Sequence, residues 1–114
     1  MKMPAPAVIP TAHLVTEPGA VIDFKPGATS WIIGREDPIT GSYPDIDLTP
    51  YDTEASVSRR HAEIYLNGQQ FNLVSLNPTN WTKLNNRLLT PNVPIVIRSG
   101  DRLEIAGVHL VFRI

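Results

Sequence analysis

At 114 residues, with a net charge of −1 and no cysteine, the chain is one domain's worth of sequence, long enough to bury a core without metal or disulfide support. The near-neutral balance excludes recruitment by an overall basic field to nucleic acid or to an anionic membrane, so any anion site must be local. The missing cysteines exclude a disulfide framework and a thiolate metal site, and fit a reducing, cytoplasmic setting.

The chain opens on MKMPAPAVIP, which holds three prolines and lacks the apolar stretch of a signal peptide. Residues 1–10 are therefore expected to form a flexible, proline-rich segment ahead of a domain over 11–114. A piece of a longer protein and a short free N-terminus explain this start equally well. No apolar run approaches membrane-spanning length.

Pro18-Gly19 and Pro26-Gly27 bracket Ala20 to Phe24, a run too short and too punctuated for a helix. Ser30 to Ile33 reads as a buried strand ending at Gly34. From Glu36 to Ser56 the chain is polar with three prolines, which predicts a long loop with one short strand at Ile46 to Leu48. Ala62 to Leu66, Asn67-Gly68 and Gln69 to Leu76 form the clearest hairpin, because Asn-Gly suits the positive φ angles of a type I′ turn. Ile64, Leu66, Phe71 and Leu73 alternate with more polar neighbours and are expected on one face. Asn85-Asn86 marks another turn. Ile95 to Ile97, then Leu103 and Ile105, then Val108, Leu110, Phe112 and Ile114 complete the pattern, divided by Ser99-Gly100-Asp101 and Gly107. The last four residues are expected to face the core. Many short strands with close turn signals predict an all-β sandwich.

Three polar groupings stand at the ends of these runs: Gly34-Arg35, Ser58-Arg59-Arg60-His61 and Thr79-Asn80. Two arginines, a hydroxyl and an amide on neighbouring loops suit an oxyanion such as phosphate. Arginine supplies a permanently charged fork of donors, serine a hydroxyl, and asparagine both a donor and an acceptor. Each group alone has a plainer reading, as a solvated surface arginine or an ordinary turn residue.

In order, spacing and β context, these groupings resemble the signature of the forkhead-associated (FHA) domain, and Gly100-Asp101 and Gly107 match that family's C-terminal pattern. The resemblance covers roughly Thr11 to Ile114. The stretches Ile33 to Pro38 and Asp45 to Leu48 are similar to bacterial members with an extended loop. The resemblance implies an FHA-like sandwich of two twisted, mostly antiparallel sheets with about eleven strands and binding loops at one end. It also implies a non-catalytic module that binds a threonine-phosphorylated protein or peptide within serine/threonine kinase pathways, without cofactor, metal, nucleic acid or membrane. On that reading Arg35, Ser58 and Arg59 hold phosphate, and Thr79 and Asn80 fix the peptide. Gly34 and His61 are architectural. Arg60 is a possible contact but reads better as a strand-edge surface residue.

Phosphothreonine brings about −1.5 to −2 charges and three acceptor oxygens. Three charge-assisted hydrogen bonds give a gross ~4.5–9 kcal/mol, against an association cost of ~4–15 kcal/mol. Phosphate contacts alone thus leave little net affinity, and backbone pairing through Asn80 is expected to matter. One position departs from the family: Trp81 stands where glycine commonly follows the asparagine. Its ring is expected either to pack beneath the loop or to cover or stack on the ligand. In the family, the third residue after phosphothreonine is often read by variable loops, here Glu36 to Ser56 and Leu76 to Asn80.

Other signals are weaker. A strand through Ser58 to His61 would place the two side chains on opposite faces, and no third residue is evident to orient the histidine, so a hydrolase is not supported. Asp45-Ile46-Asp47 lacks the glycine and glutamate of a calcium loop. Asn80-Trp81-Thr82 matches a glycosylation sequon without a secretory signal. The rival to phosphopeptide recognition is a phosphate-independent protein–protein assembly domain.

Overall fold

The computed structural model describes residues 11–76 and 78–114, so the expected proline-rich segment at 1–10 lies outside the described residues. Eleven strands are found among them: β1 His13–Thr16, β2 Val21–Asp23, β3 Ser30–Gly34, β4 Ile46–Asp47, β5 Ala62–Asn67, β6 Gln70–Ser75, β7 Thr82–Leu84, β8 Arg87–Leu88, β9 Ile95–Ile97, β10 Arg102–Ile105 and β11 Val108–Arg113. They form a six-stranded sheet in the order β2-β1-β11-β10-β7-β8 and a five-stranded sheet in the order β4-β3-β5-β6-β9. All pairings are antiparallel except the short parallel contact of β3 with β4. This is the all-β, two-sheet sandwich expected from the sequence.

The core follows from strand alternation. Along β11, Val108, Leu110 and Phe112 are buried while His109 and Arg113 are exposed. On β5 and β6, Ile64 pairs with Leu73 and Leu66 with Phe71, so these four residues share one face. Phe24, Trp31, Phe71 and Phe112 form an aromatic cluster, with ring centroids 4.9 Å apart for Phe24–Trp31 and 5.2 Å for Phe71–Phe112. The opposite ends of the strands carry a buried polar seam. His61 is fully buried, and the Ser75 and Thr82 hydroxyls lie 3.0 Å apart. Buried polar groups keep their place only when paired, so this end of the core is built to hold loops.

Two local expectations need correction. Asn67 pairs with Gln70, so the hairpin turn is Gly68-Gln69, one residue later than expected. Of these only Gly68 has a positive φ, +66°, which is the Gly-X pattern rather than Asn-Gly. The turn with two consecutive positive φ angles is Asn85-Asn86, at 50° and 68°, joining Leu84 to its partner Arg87. Finally, Ile114 is exposed rather than in the core. The last strand ends at Arg113, and the Ile114 N–H donates to Ser99 Oγ at 3.1 Å.

Candidate functional site

The site is assembled where β3 ends. An ideal Cβ on Gly34 would lie 2.0 Å from the Arg59 carbonyl oxygen and 2.9 Å from that of Ser58. The 58–60 turn thus lies directly on the glycine backbone. It is fastened there by the Arg35 N–H, which donates to the Ser58 carbonyl at 3.2 Å, and by the His61 N–H, which donates to the Ile33 carbonyl at 2.9 Å. On the other side the Leu48 N–H donates to the Gly34 carbonyl at 2.8 Å.

Upstream of that turn, Asp52 shapes the loop. Its carboxylate accepts from Ser56 N at 2.9 Å, Ser56 Oγ at 3.2 Å and Val57 N at 2.9 Å. Ala55 adopts a positive φ of 51° within this tight turn.

His61 joins three segments. Its Nδ1 accepts from the Ser58 N–H at 3.1 Å, and its Nε2 lies 2.9 Å from the Trp81 carbonyl. The first contact needs a bare nitrogen and the second needs an N–H, so the imidazole is neutral and protonated on Nε2. Burial pushes its pKa below the ordinary imidazole value, outweighing the opposing effects of the Trp81 carbonyl and the Asp52 charge. Residues 59 and 60 form a turn rather than a strand. That turn brings the Ser58 backbone onto the ring, where an extended strand would have set Ser58 and His61 apart.

The third grouping is laced to the second. Thr79 N–H donates to Ser58 Oγ at 3.2 Å, and Asn80 Nδ2 donates to the Ser56 carbonyl at 2.7 Å. Among the described residues, the Ser58 hydroxyl proton and Asn80 Oδ1 have no hydrogen-bond partner. Arg35 is half-buried, and among the described residues its guanidinium forms no ion pair. Arg60 and Thr79 are exposed. The structure therefore brings all three groupings onto one set of loops.

Arg59 is differently placed. Its Nη1 donates to Asp37 Oδ2 at 2.8 Å, and the Asp37 side chain is only 12% exposed. The Thr40 hydroxyl and then the Arg59 guanidinium hold the Asp37 carboxyl below the usual carboxylate range. Asp37 also forms a β-bridge with Ser42, with hydrogen bonds of 2.7 and 3.0 Å, so its own loop is clamped at the base. On the far side of Arg35, the Glu36 carboxyl is pushed up by its hydrogen bond to Asp47, then by burial and by that neighbour's charge.

Sequence reasoning missed Asp37, Asp52 and Ser56. Asp and Ser in a polar loop carry no signal that tells a solvated residue from one organising the turn. Asp45 and Asp47 spend carboxylate oxygens on the N–H groups of Ile32 and Thr49, both roles in the fold.

Trp81 is 43% exposed, so its ring does not pack beneath the loop. Its Nε1 donates to Glu104 Oε2 at 2.5 Å, and Lys83 Nζ lies 5.5 Å from the ring centroid. Lys83 pairs with Glu104 across the sheet and Glu104 with His109, so the ring rests on that outer face. The Trp81 carbonyl reaches the site, through His61 and through the Ala106 N–H at 3.0 Å. Trp81→Phe is expected to cost about 0.5–1.5 kcal/mol in a urea melt, the worth of one hydrogen bond, while leaving the loop geometry intact by NMR.

A family model described as the FHA domain matches residues 31–106. The oxoglutarate dehydrogenase inhibitor of Corynebacterium jeikeium is 33% identical over 93 residues, covering 81% of this chain and 61% of that protein. The glycogen accumulation regulator GarA of Mycolicibacterium smegmatis is 32% identical over 93 residues, covering 81% and 56%. The chain thus spans little more than half the length of these curated relatives. A solved structure from a structural and functional analysis of phosphothreonine-dependent FHA domain interactions superposes with a TM-score of 0.72 at 27% identity, over 92% of this chain and 97% of that one.

Proposed function

This chain belongs to the FHA domain family, and on that premise we propose that it is a phosphothreonine-dependent peptide-binding module in serine/threonine kinase signalling, not an enzyme. The observation that carries the proposal is Arg35, a half-buried cation that forms no ion pair among the described residues, pinned through its backbone to Ser58 on loops that His61 locks. In this reading Arg35 and the Ser58 hydroxyl hold the phosphate. Arg59 adds to them through the donors that Asp37 leaves unused, since a guanidinium carries five N–H groups. Asn80 Oδ1 receives a peptide N–H, and Thr79 borders the same groove. Gly34 and His61 support the loops, and Arg60 lies at the margin.

The regulator names of the curated relatives accord with a binding role rather than a catalytic one. No helix among the described residues is long and apolar enough to cross a membrane. A cytoplasmic setting is proposed because the phosphorylated partners of such kinases are made there.

The test is binding to a degenerate phosphothreonine peptide pool, with unphosphorylated and phosphoserine pools as controls. The parent chain is expected to bind only the phosphorylated pools and to favour phosphothreonine. Arg35→Ala should weaken that binding by roughly tenfold to a hundredfold, the loss of one charge-assisted contact. Binding that survives both phosphatase and Arg35→Ala would replace this function with phosphate-independent assembly, a reading that takes Asp37 as the lasting anion on Arg59.

A further inference from the structure

We propose that the groove between the β8 and β9 edges is a second docking site, taking an extended, acidic-apolar segment of a partner protein that adds as a strand along β9. β8 ends the six-stranded sheet and β9 ends the five-stranded one. The groove between them measures about 630 Å³, and Leu84, Leu88, Leu89, Val93 and Ile95 line it, with Arg87 among them. That volume lies within the range of ordinary ligand sites. Leu88 is 69% exposed, Val93 46% and Ile95 38%, so three of the eight exposed large hydrophobics among the described residues line this one groove.

The backbone supplies the second half of the argument. Among the described residues β9 pairs only with β6, which leaves its other edge without a partner strand there. β9 is a short edge of three residues, but no strand among the described residues covers it, and an extended peptide pairs with such an open edge. Alternate side chains of an added strand would then point into the groove.

Charge selects the occupant. No lining residue is acidic, and among the described residues neither Arg87 nor Arg98, which follows β9, takes part in an ion pair. Asp101, close in sequence to Arg98 and Arg102, is held by the Asn85 amide at 3.2 Å and the Arg98 N–H at 2.8 Å. An apolar segment carrying Asp or Glu supplies the missing carboxylate.

The groove is separate from the phosphothreonine site but tied to it. The Leu89 N–H donates to the Thr82 carbonyl at 2.9 Å and the Asn92 N–H to the Ser75 carbonyl at 2.8 Å. Thr82 and Ser75 bracket the loop that carries Thr79 and Asn80. A partner held at both places would gain affinity through effective concentration alone.

The experiment is selection of randomised, unphosphorylated short peptides on the intact chain, followed by NMR mapping of an enriched peptide. Enriched sequences are expected to alternate apolar residues and to carry Asp or Glu. They should shift the amides of Arg87 to Leu89 and Ile95 to Ile97, bind Arg35→Ala unchanged, and bind Leu88→Asp at least about tenfold more weakly. Leu88 is exposed enough for that variant to fold, and Arg87→Glu should turn the preference toward Lys and Arg. Failure to enrich any peptide, enrichment without acidic residues, shifts confined to the Arg35 loops, response only to phosphatidylglycerol vesicles, or pairing of two copies through β9 would each overturn the proposal. None of these outcomes depends on whether the chain binds phosphothreonine.

Discussion

Gly34→Ala is expected to cost the fold about 3 kcal/mol or more, the upper end for overpacking a tight site. The reason is space and not backbone angle. The added methyl would meet the Arg59 carbonyl oxygen at 2.0 Å, its carbon at 2.7 Å and the Ser58 carbonyl oxygen at 2.9 Å. All three are backbone atoms, so no rotamer change relieves the contact. Either β3 or the 58–60 turn must move, and the turn is held by the hydrogen bonds of Arg35 and His61. In a urea melt the midpoint should fall by roughly 2 M for a domain of this size. Gly107→Ala is the control: its nearest atoms would be the Glu54 carboxylate at 3.8 Å and the Ser56 hydroxyl at 4.0 Å, and the melt should move by about 0.5 kcal/mol or less. Equal behaviour of the two variants would mean that the turn does not rest on Gly34. Any folded Gly34→Ala protein should also bind phosphopeptide less well than the parent, because the shifted turn carries Ser58 and Arg59.

That close contact explains which parts of the site were legible in the sequence. Gly34-Arg35, Ser58 to His61 and Thr79-Asn80 stood out because their residue types are unusual at the ends of apolar runs, and their order identified the family. What joins them is invisible there. The Asn80 amide reaches Ser56 across 24 positions, and Arg59 reaches Asp37 across 22, and no local pattern marks either pair. The strands show the same divide. β5, β6 and β11 announce themselves by alternation, whereas β7 and β8 hold only three and two residues. They exist because β10 offers β7 a free edge and the Asn85-Asn86 turn folds β8 back upon it. The hairpin turn at Gly68 was displaced by one residue because Asn67 completes the pairing with Gln70, and tertiary register overrode a local turn preference. For Trp81 the sequence leaves two places, beneath the loop or over the ligand, and the first is overturned because Glu104 offers its N–H a partner on the sheet surface.

Acid should loosen this domain through the buried, neutral imidazole of His61. The imidazole is fully buried and neutral, and its folded pKa lies below the ordinary value of about 6.5 that it regains on unfolding. Above that value neither state binds the proton, and the stability is complete. As pH falls below about 6.5 the unfolded chain takes up a proton that the folded one refuses. Stability then drops, by at most about 1.4 kcal/mol per pH unit, until the depressed folded pKa is passed. The Asp37 carboxyl, also depressed, gives way in a separate window below the ordinary carboxylate value. The measurement is a series of urea melts between pH 8 and 5 without ligand, since phosphate itself titrates near pH 6. His61→Ala removes the acceptor of the Ser58 N–H and the donor to the Trp81 carbonyl, leaving a cavity between them, so the loss should reach about 3–5 kcal/mol. His61→Gln separates charge from packing, because its amide both accepts and donates but does not titrate. It should keep part of the stability and lose the slope. A parent melt that stays flat to pH 5, or a slope that persists in His61→Gln, would assign the acid response to another group and remove His61 as the pin that closes the loops over Arg35.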